Sequence, residues 1–237
     1  LTQTTFIIYL KGDDDMTIKK VKVKDPGSAI THFIGTLMAV LAATPLLIKA
    51  ARQPSGVHLL SLGVFIISMI LLYIASTVYH TFGHSLKVHV RLKKLDHMAI
   101  YILIAGTYTP ICVIALGGQI GLALLVLIWG LALIGIAVTG IWVHCPKWFS
   151  SIVYIAMGWT CVLAFTQIIN SLSNAAFQWL LAGGIIYTLG GIIYALKLPI
   201  FNNKHSNFGS HEIFHLFVMG GSICHFILMY QYVVVMP

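Results

Sequence analysis

Acidic side chains are scarce in this chain: six among 237 residues, against fourteen Lys and Arg. Charged residues of both signs make up only 8%, where a soluble domain carries about 25%. So few could not cover the surface of a water-soluble fold. Cysteine is sparse too. Cys112, Cys145, Cys161 and Cys224 form no CxxC pair, and three of them lie inside apolar runs. That excludes a disulfide scaffold, and they read as free thiols serving as small hydrophobes. No cleavable leader is visible, because the early apolar patch Phe6–Leu10 is too short for a signal-peptide core and gives way to Lys11 and Asp13-Asp14-Asp15. What is abundant is hydrocarbon: 59% of residues are hydrophobic and the mean hydropathy is +0.94. Fibrous, disordered and soluble classes are excluded, which leaves a polytopic membrane protein.

Crossing ~30 Å of hydrocarbon takes ~20 helical residues. Apolar runs of that kind are expected at 30–48, 58–82, 96–116, 120–142, 151–169, 177–197 and 211–235. Barrel strands would be ~10 residues long with alternating polarity, so the reading is an all-α bundle of seven transmembrane helices. Residues 30–237 form that membrane domain and residues 1–29 a basic N-terminal segment. The first Met is Met16, so residues 1–15 are expected to be a leader foreign to the native protein or a mistaken upstream start. The remaining loops are too short for a soluble domain, so any chemistry belongs to the bundle. Gly183, Gly184, Gly190 and Gly191 form two pairs seven apart on the sixth span, where small residues allow close helix packing.

The net charge of +8 does not point to nucleic acid, because the cations sit between apolar runs. Lys11, Lys19, Lys20, Lys22, Lys24, Lys87, Arg91, Lys93, Lys94, Lys147, Lys197 and Lys204 fall on one side of the expected topology. Lys49 and Arg52 fall on the other. The positive-inside rule then places the N-terminus in the cytoplasm and the C-terminus outside.

Ionisable groups inside a membrane are costly and mark function by default. Asp13, Asp14, Asp15 and Asp25 precede the first span, leaving Asp96 and Glu212 at the starts of the third and seventh. Under this topology His80, Asp96, His211 and His215 share one depth at the cytoplasmic side. His211 and His215 are four apart, so they occupy one helix face. They can ligate one metal, with His80 as third ligand from another helix. Three protein ligands with one open position is the catalytic zinc pattern. Asp96 would orient a metal-held water or take its proton, and Ser76, one turn before His80, would support the site by a hydrogen bond. Plainer readings stand beside these. Asp96 and Glu212 can each favour a helix N-terminus, with Ser210 as N-cap of the seventh span, and Ser76 can satisfy a carbonyl of its own helix. His58, His84, His89, His144 and His205 read as loop or interface residues, and His97 as interfacial. His32 and His225 read as hydrogen-bonded core residues.

At these positions the chain resembles the hemolysin III family, the bacterial branch of the progestin and adipoQ receptor family. The resemblance rests on Ser28-x-x-Thr31-His32-x-x-Gly35, Ala75-Ser76-Thr77-Val78-Tyr79-His80, Leu95-Asp96-His97-Met98 and Ala105-Gly106-Thr107-Tyr108-Thr109-Pro110. It continues through Pro146-Lys147-Trp148, Met157-Gly158-Trp159, Ala182-Gly183-Gly184 and His211-Glu212-Ile213-Phe214-His215 to His225-Phe226, in order from Ser28 to the end. It implies a seven-helix fold in the bacterial cytoplasmic (inner) membrane. It also implies Zn2+ held by His80, His211 and His215, with Asp96 near a metal-bound water and Ser76 carried over beside them. The expected partners are membrane lipids, including a lipid amide or ester substrate drawn from the cytoplasmic leaflet. A non-enzymatic receptor or regulator with structural zinc is the alternative, and a pore-forming haemolysin the third reading. Nothing in the sequence selects a substrate or an oligomeric state.

Overall fold

The computed structural model describes residues 5–11, 16–82, 85–142, 144–196 and 208–237. Asp13, Asp14, Asp15, His84, Lys197, Lys204 and His205 therefore lie outside the described residues. Among the described residues seven helices are long and apolar enough to cross a membrane: α1 Pro26–Ala51, α2 Gly56–Thr81, α3 Leu86–Leu116, α4 Gly118–Ile141, α5 Lys147–Ser171, α6 Asn174–Leu196 and α7 Ser210–Val235. Ahead of them, strands β1 (Thr5–Lys11) and β2 (Met16–Lys22) pair antiparallel, with Thr5 opposite Lys22 and Lys11 opposite Met16. The sequence reading assigned no strand there. The apolar patch Phe6–Leu10 falls within β1.

The largest departure in the helices is the start of α3, ten residues before the expected boundary at 96. Ser85 caps it, its side chain accepting from the Val88 N–H, so Lys87, Arg91, Lys93 and Lys94 ride on helix rather than loop. Hydropathy sees only where a helix enters hydrocarbon, whereas backbone hydrogen bonding carries the helix on beyond it. Lys94 Nζ donates to the Gly140 carbonyl at the end of α4, one of the acceptors that a helix C-terminus leaves open.

Outward faces carry Leu41, Leu60, Leu122, Leu133 and Leu163, all strongly exposed. Such a surface is stable against lipid and costly against water. Inside, α1 packs on α2 and α7, α2 on α3, α3 on α5, α5 on α6 and α6 on α7, so six helices close a ring. α4 lies outside it, against α3 and the middle of α5. α3 is the most enclosed of the seven. Its last turn, Ile111–Leu116, is π-helical after Pro110, and α3 turns into α4 through Gly117 and Gly118, both at positive φ, a conformation glycine adopts without cost. α5 tightens to 3-10 geometry over Trp159–Ala164. There the Tyr108 hydroxyl donates to the Gly158 carbonyl at 2.6 Å and accepts from the Cys161 N–H at 2.8 Å.

The glycine pairs of α6 divide their work. A Cβ at Gly183 would lie 2.7 Å from the His225 ring, one at Gly190 2.6 Å from Phe217, and one at Gly191 3.1 Å from Ile155. Gly183 and Gly190 thus admit α7 and Gly191 admits α5. Gly184 has open space and is not needed for packing. All four cysteines are free, with Cys112 and Cys224 buried.

Candidate metal centre

Three imidazoles converge inside the ring at the end where α1, α3 and α7 begin and α2 ends. One ligand nitrogen each from His80, His211 and His215 lies within 4.8 Å of the others. The ring centroids are 4.6 to 5.1 Å apart. Local structure prepares each ring. His211 and His215 stand one turn apart on α7, as their spacing requires. His80 occupies the last turn of α2, where its carbonyl accepts the Asp25 N–H at 3.0 Å. That bond pins the segment before α1 to the end of α2. It also delivers the Asp25 carboxylate to His80, whose Nδ1 donates to Asp25 Oδ2 at 2.9 Å.

Ionised Asp25 only accepts, so His80 carries its hydrogen on Nδ1 and turns an Nε2 lone pair inward. Thr31 gives its hydroxyl hydrogen to the Ser28 carbonyl at 2.9 Å, so its oxygen accepts from His215 Nδ1 at 3.1 Å. His215 is thereby set in the same tautomer. Burial tends to raise the Asp25 pKa, but hydrogen bonds from His80 and Lys24 outweigh it and hold it down at about 2. The Lys24 ammonium lies 3.0 Å from the same oxygen. An imidazole that hands one N–H to a carboxylate while presenting its other nitrogen is the usual arrangement of a metal-ligating histidine.

The donor set fits a metal on geometry as well. His80 Nε2 and His211 Nε2 are 3.2 Å apart. Two ligands at ~2.05 Å on a tetrahedral ion would sit roughly 3.3 Å apart. Among the described residues His211 Nδ1 is buried without a hydrogen-bond partner, so none of them competes for the tautomer that ligation needs. Zn2+ suits three neutral imidazoles with one position left over.

Asp96 does not join the ligands. Among the described residues the group able to hold a metal is the three histidines alone. Asp96 lines the same cavity, with its Oδ2 3.6 Å from His97 Nδ1. Its helix-end reading fails, because α3 starts ten residues earlier and the dipole effect is confined to the first turn. Ser76 is 1% exposed, lines the cavity, and its Oγ has no hydrogen-bond partner. It does not bond its own helix, unlike Ser68, which donates to the Phe65 carbonyl at 2.7 Å.

Glu212 is a helix-end residue, with the cap shifted by one position to Gly209. Its Oε2 accepts the Gly209 N–H at 2.8 Å and its Oε1 accepts from Ser28 Oγ at 2.5 Å, which ties α7 to α1. His97, read as interfacial, also borders the cavity. His58 is buried, with Nε2 3.1 Å from the Met236 carbonyl oxygen, and is not a loop residue. His32 is buried but not hydrogen-bonded. Both its nitrogens lack partners, and its ring stacks on His215 at 3.6 Å and 9°. The sequence reading missed Asp25 as a site residue, counting it only among acids ahead of the first span. Thr31 and Ser28 stood in the family pattern without a role.

The cavity holds about 600 Å³. From the histidines it runs between α3, α5, α6 and α7 along Ile104, Ile111, Val162, Phe177 and Leu180.

Fold and site together define a multi-pass, seven-helix membrane protein with a buried three-histidine group at one end of an apolar cavity. Residues 21–226 match the family described as Haemolysin-III related, and the chain belongs to that family. It is 41% identical over 210 residues to the Hemolysin-3 homolog of Bacillus subtilis (strain 168), covering 89% of this chain and 94% of that one. To Hemolysin-3 of Bacillus cereus it is 39% identical over 206 residues, covering 87% and 90%. The adiponectin receptor protein of Drosophila melanogaster is a more distant relative, 24% identical over 235 residues that cover 85% of this chain and 49% of the receptor.

Proposed function

We propose that this protein is a zinc-dependent hydrolase of membrane lipids, acting on an amide or ester bond at the histidine end of the cavity. The observation that carries this reading is one continuous cavity wall. It holds His80, His211 and His215, the Asp96 carboxylate and the Ser76 hydroxyl at one end, and apolar side chains beyond. Zinc at the three histidines supplies Lewis acidity that polarises a carbonyl and lowers the pKa of a water toward ~7. Asp96, outside the ligand group, takes the proton of the attacking water on a carboxylate oxygen. It returns that proton to the departing amine or alcohol as the new C–O bond forms and the scissile bond breaks. Ser76 Oγ offers a hydrogen bond to the carbonyl oxygen. Ionised Asp25, one imidazole away, offsets the charge that neutral ligands leave uncompensated. The apolar walls accept an acyl chain and strip its water.

The test is product formation from a panel of lipid amides, lipid esters and phospholipids by purified protein, zinc-loaded and zinc-stripped. Turnover in the loaded form alone is expected. A panel without any product leaves the second reading, a receptor or regulator in which zinc staples α2 to α7. What favours that alternative is the ligands' origin on these two helices, with Asp25 tying in α1. A pore would need a polar stripe along several spans, and beyond the histidine layer the sequences of these spans are almost wholly apolar.

The same reading sets the protein in a bacterial cytoplasmic membrane with the histidine layer toward the cytoplasm, on the basic asymmetry noted above. A reporter fused after Pro237 should be active only in a form that works outside. Activity of a cytoplasm-only reporter there would reverse the orientation.

A further inference from the structure

Ten residues beyond His215, about 15 Å along α7, the cavity wall turns polar again. His225 lines it at 5% exposure, and its Nδ1 has no hydrogen-bond partner. The ring stacks on Tyr187 of α6 at 5.4 Å and 18°. Both rings are seated in slots cut by glycine: a Cβ at Gly183 would lie 2.7 Å from His225, and one at Gly221 would lie 2.8 Å from Tyr187. Behind them Tyr73 donates its hydroxyl hydrogen to Ser222 Oγ at 2.7 Å, and Ser222 Oγ lies 2.8 Å from the Tyr187 hydroxyl.

Each hydroxyl has one hydrogen to give. Tyr73 spends its own on Ser222. Among the described residues Ser222 has no carbonyl partner, and in its contact with Tyr187 either hydroxyl can be the donor. Three hydroxyl hydrogens thus serve two bonds, and one is left over in a chain whose Tyr187 end lines the cavity, beside an imidazole that carries both a donor and an acceptor nitrogen. Polar groups left unmatched at this depth are costly, because hydrocarbon offers nothing to bond. No other part of the mechanism above uses them.

We propose that Tyr187 and His225 form a second polar subsite, one that receives a hydroxyl group carried in the middle of the acyl chain. A hydroxyl suits it because its oxygen accepts from Tyr187 while its hydrogen is given to the imidazole acceptor. A carbonyl would satisfy only the donors. A second carboxylate would find no cation among the described residues that line this part of the cavity. The subsite rests on the acyl-chain reading of the cavity and narrows it to mid-chain hydroxylated lipids.

The test uses the full chain, purified and zinc-loaded. It measures binding of a saturated long-chain fatty acid, its mid-chain hydroxy derivative and its alpha-hydroxy isomer. The mid-chain derivative should bind about tenfold tighter than either other acid, equivalent to about 1.4 kcal/mol. Tyr187→Phe keeps the ring in its glycine slot and removes only the hydroxyl. It should cut that advantage severalfold, and His225→Phe should bring it to parity. Equal binding of all three acids to the unaltered protein overturns the subsite but leaves the acyl-chain cavity standing. An advantage that survives in Tyr187→Phe also overturns it. Failure of all three acids to bind overturns the acyl-chain reading, and the subsite falls with it.

Discussion

Replacing His211 and His215 together with alanine is expected to abolish metal binding, from about one zinc per chain to none by elemental analysis. The two residues supply two of the three nitrogens that converge within 4.8 Å, and His80 alone cannot hold the ion against solvent and buffer. The effect of Asp25→Asn should be smaller but distinct. Asp25 touches no metal in this arrangement. It holds His80 in the tautomer that presents Nε2, through the 2.9 Å bond to Nδ1. Loss of such an outer carboxylate typically costs 10–100-fold in affinity, so the variant should need that much more free zinc for half-occupancy. Acidification should act in the same direction. A ligating imidazole must be unprotonated, so affinity falls once acidification protonates the ligands. Asp25, held at about 2, stays charged until strongly acid pH and does not add to the loss above that. Zinc retained in full by the double alanine variant would remove the site.

The second large effect is expected at Asp96. Asp96→Asn should keep zinc and lose turnover by ~10²–10⁴-fold, the usual cost of removing a general base. The prediction turns on placement. Asp96 shares the cavity wall with the histidines but stands outside the ligand group, so the isosteric amide leaves the metal's nitrogens untouched while removing the proton acceptor. His80→Ala is the contrast, because it should lose zinc and turnover together. If Asp96 were a ligand, Asp96→Asn would weaken metal binding as severely as a histidine loss. The helix-end role, worth ~1 kcal/mol or less, is closed by the position of Asp96 ten residues inside α3. Turnover unchanged in Asp96→Asn would defeat the hydrolytic mechanism.

The seven spans were legible from hydropathy because insertion into hydrocarbon depends on composition summed over ~20 consecutive residues, a quantity local to the chain. The pairing of His211 with His215 was legible for a related reason: helical periodicity alone puts residues four apart on one face. The common depth of His80 and the α7 pair followed from counting spans. Their meeting did not, since depth leaves the rotation of each helix and the order of neighbours open.

Those variables were decided by packing. Glycine slots at Gly183 and Gly190 bring α6 onto α7, and ring closure brings α7 beside α1. Asp25 reaches His80 across 55 residues because two backbone hydrogen bonds dock the chain before α1 on the end of α2. No periodicity or composition marks such a contact. The early start of α3 escaped hydropathy because its first turns are basic, and that single shift removed the helix-end alternative for Asp96. His225 and Tyr187, on different helices, became one polar subsite only when two glycines let the rings nest. Span number and single-helix spacing follow from chemistry repeated along the chain, whereas the pairing of charges, tautomers and cavity walls depends on which helix faces meet, and only the tertiary structure decides that.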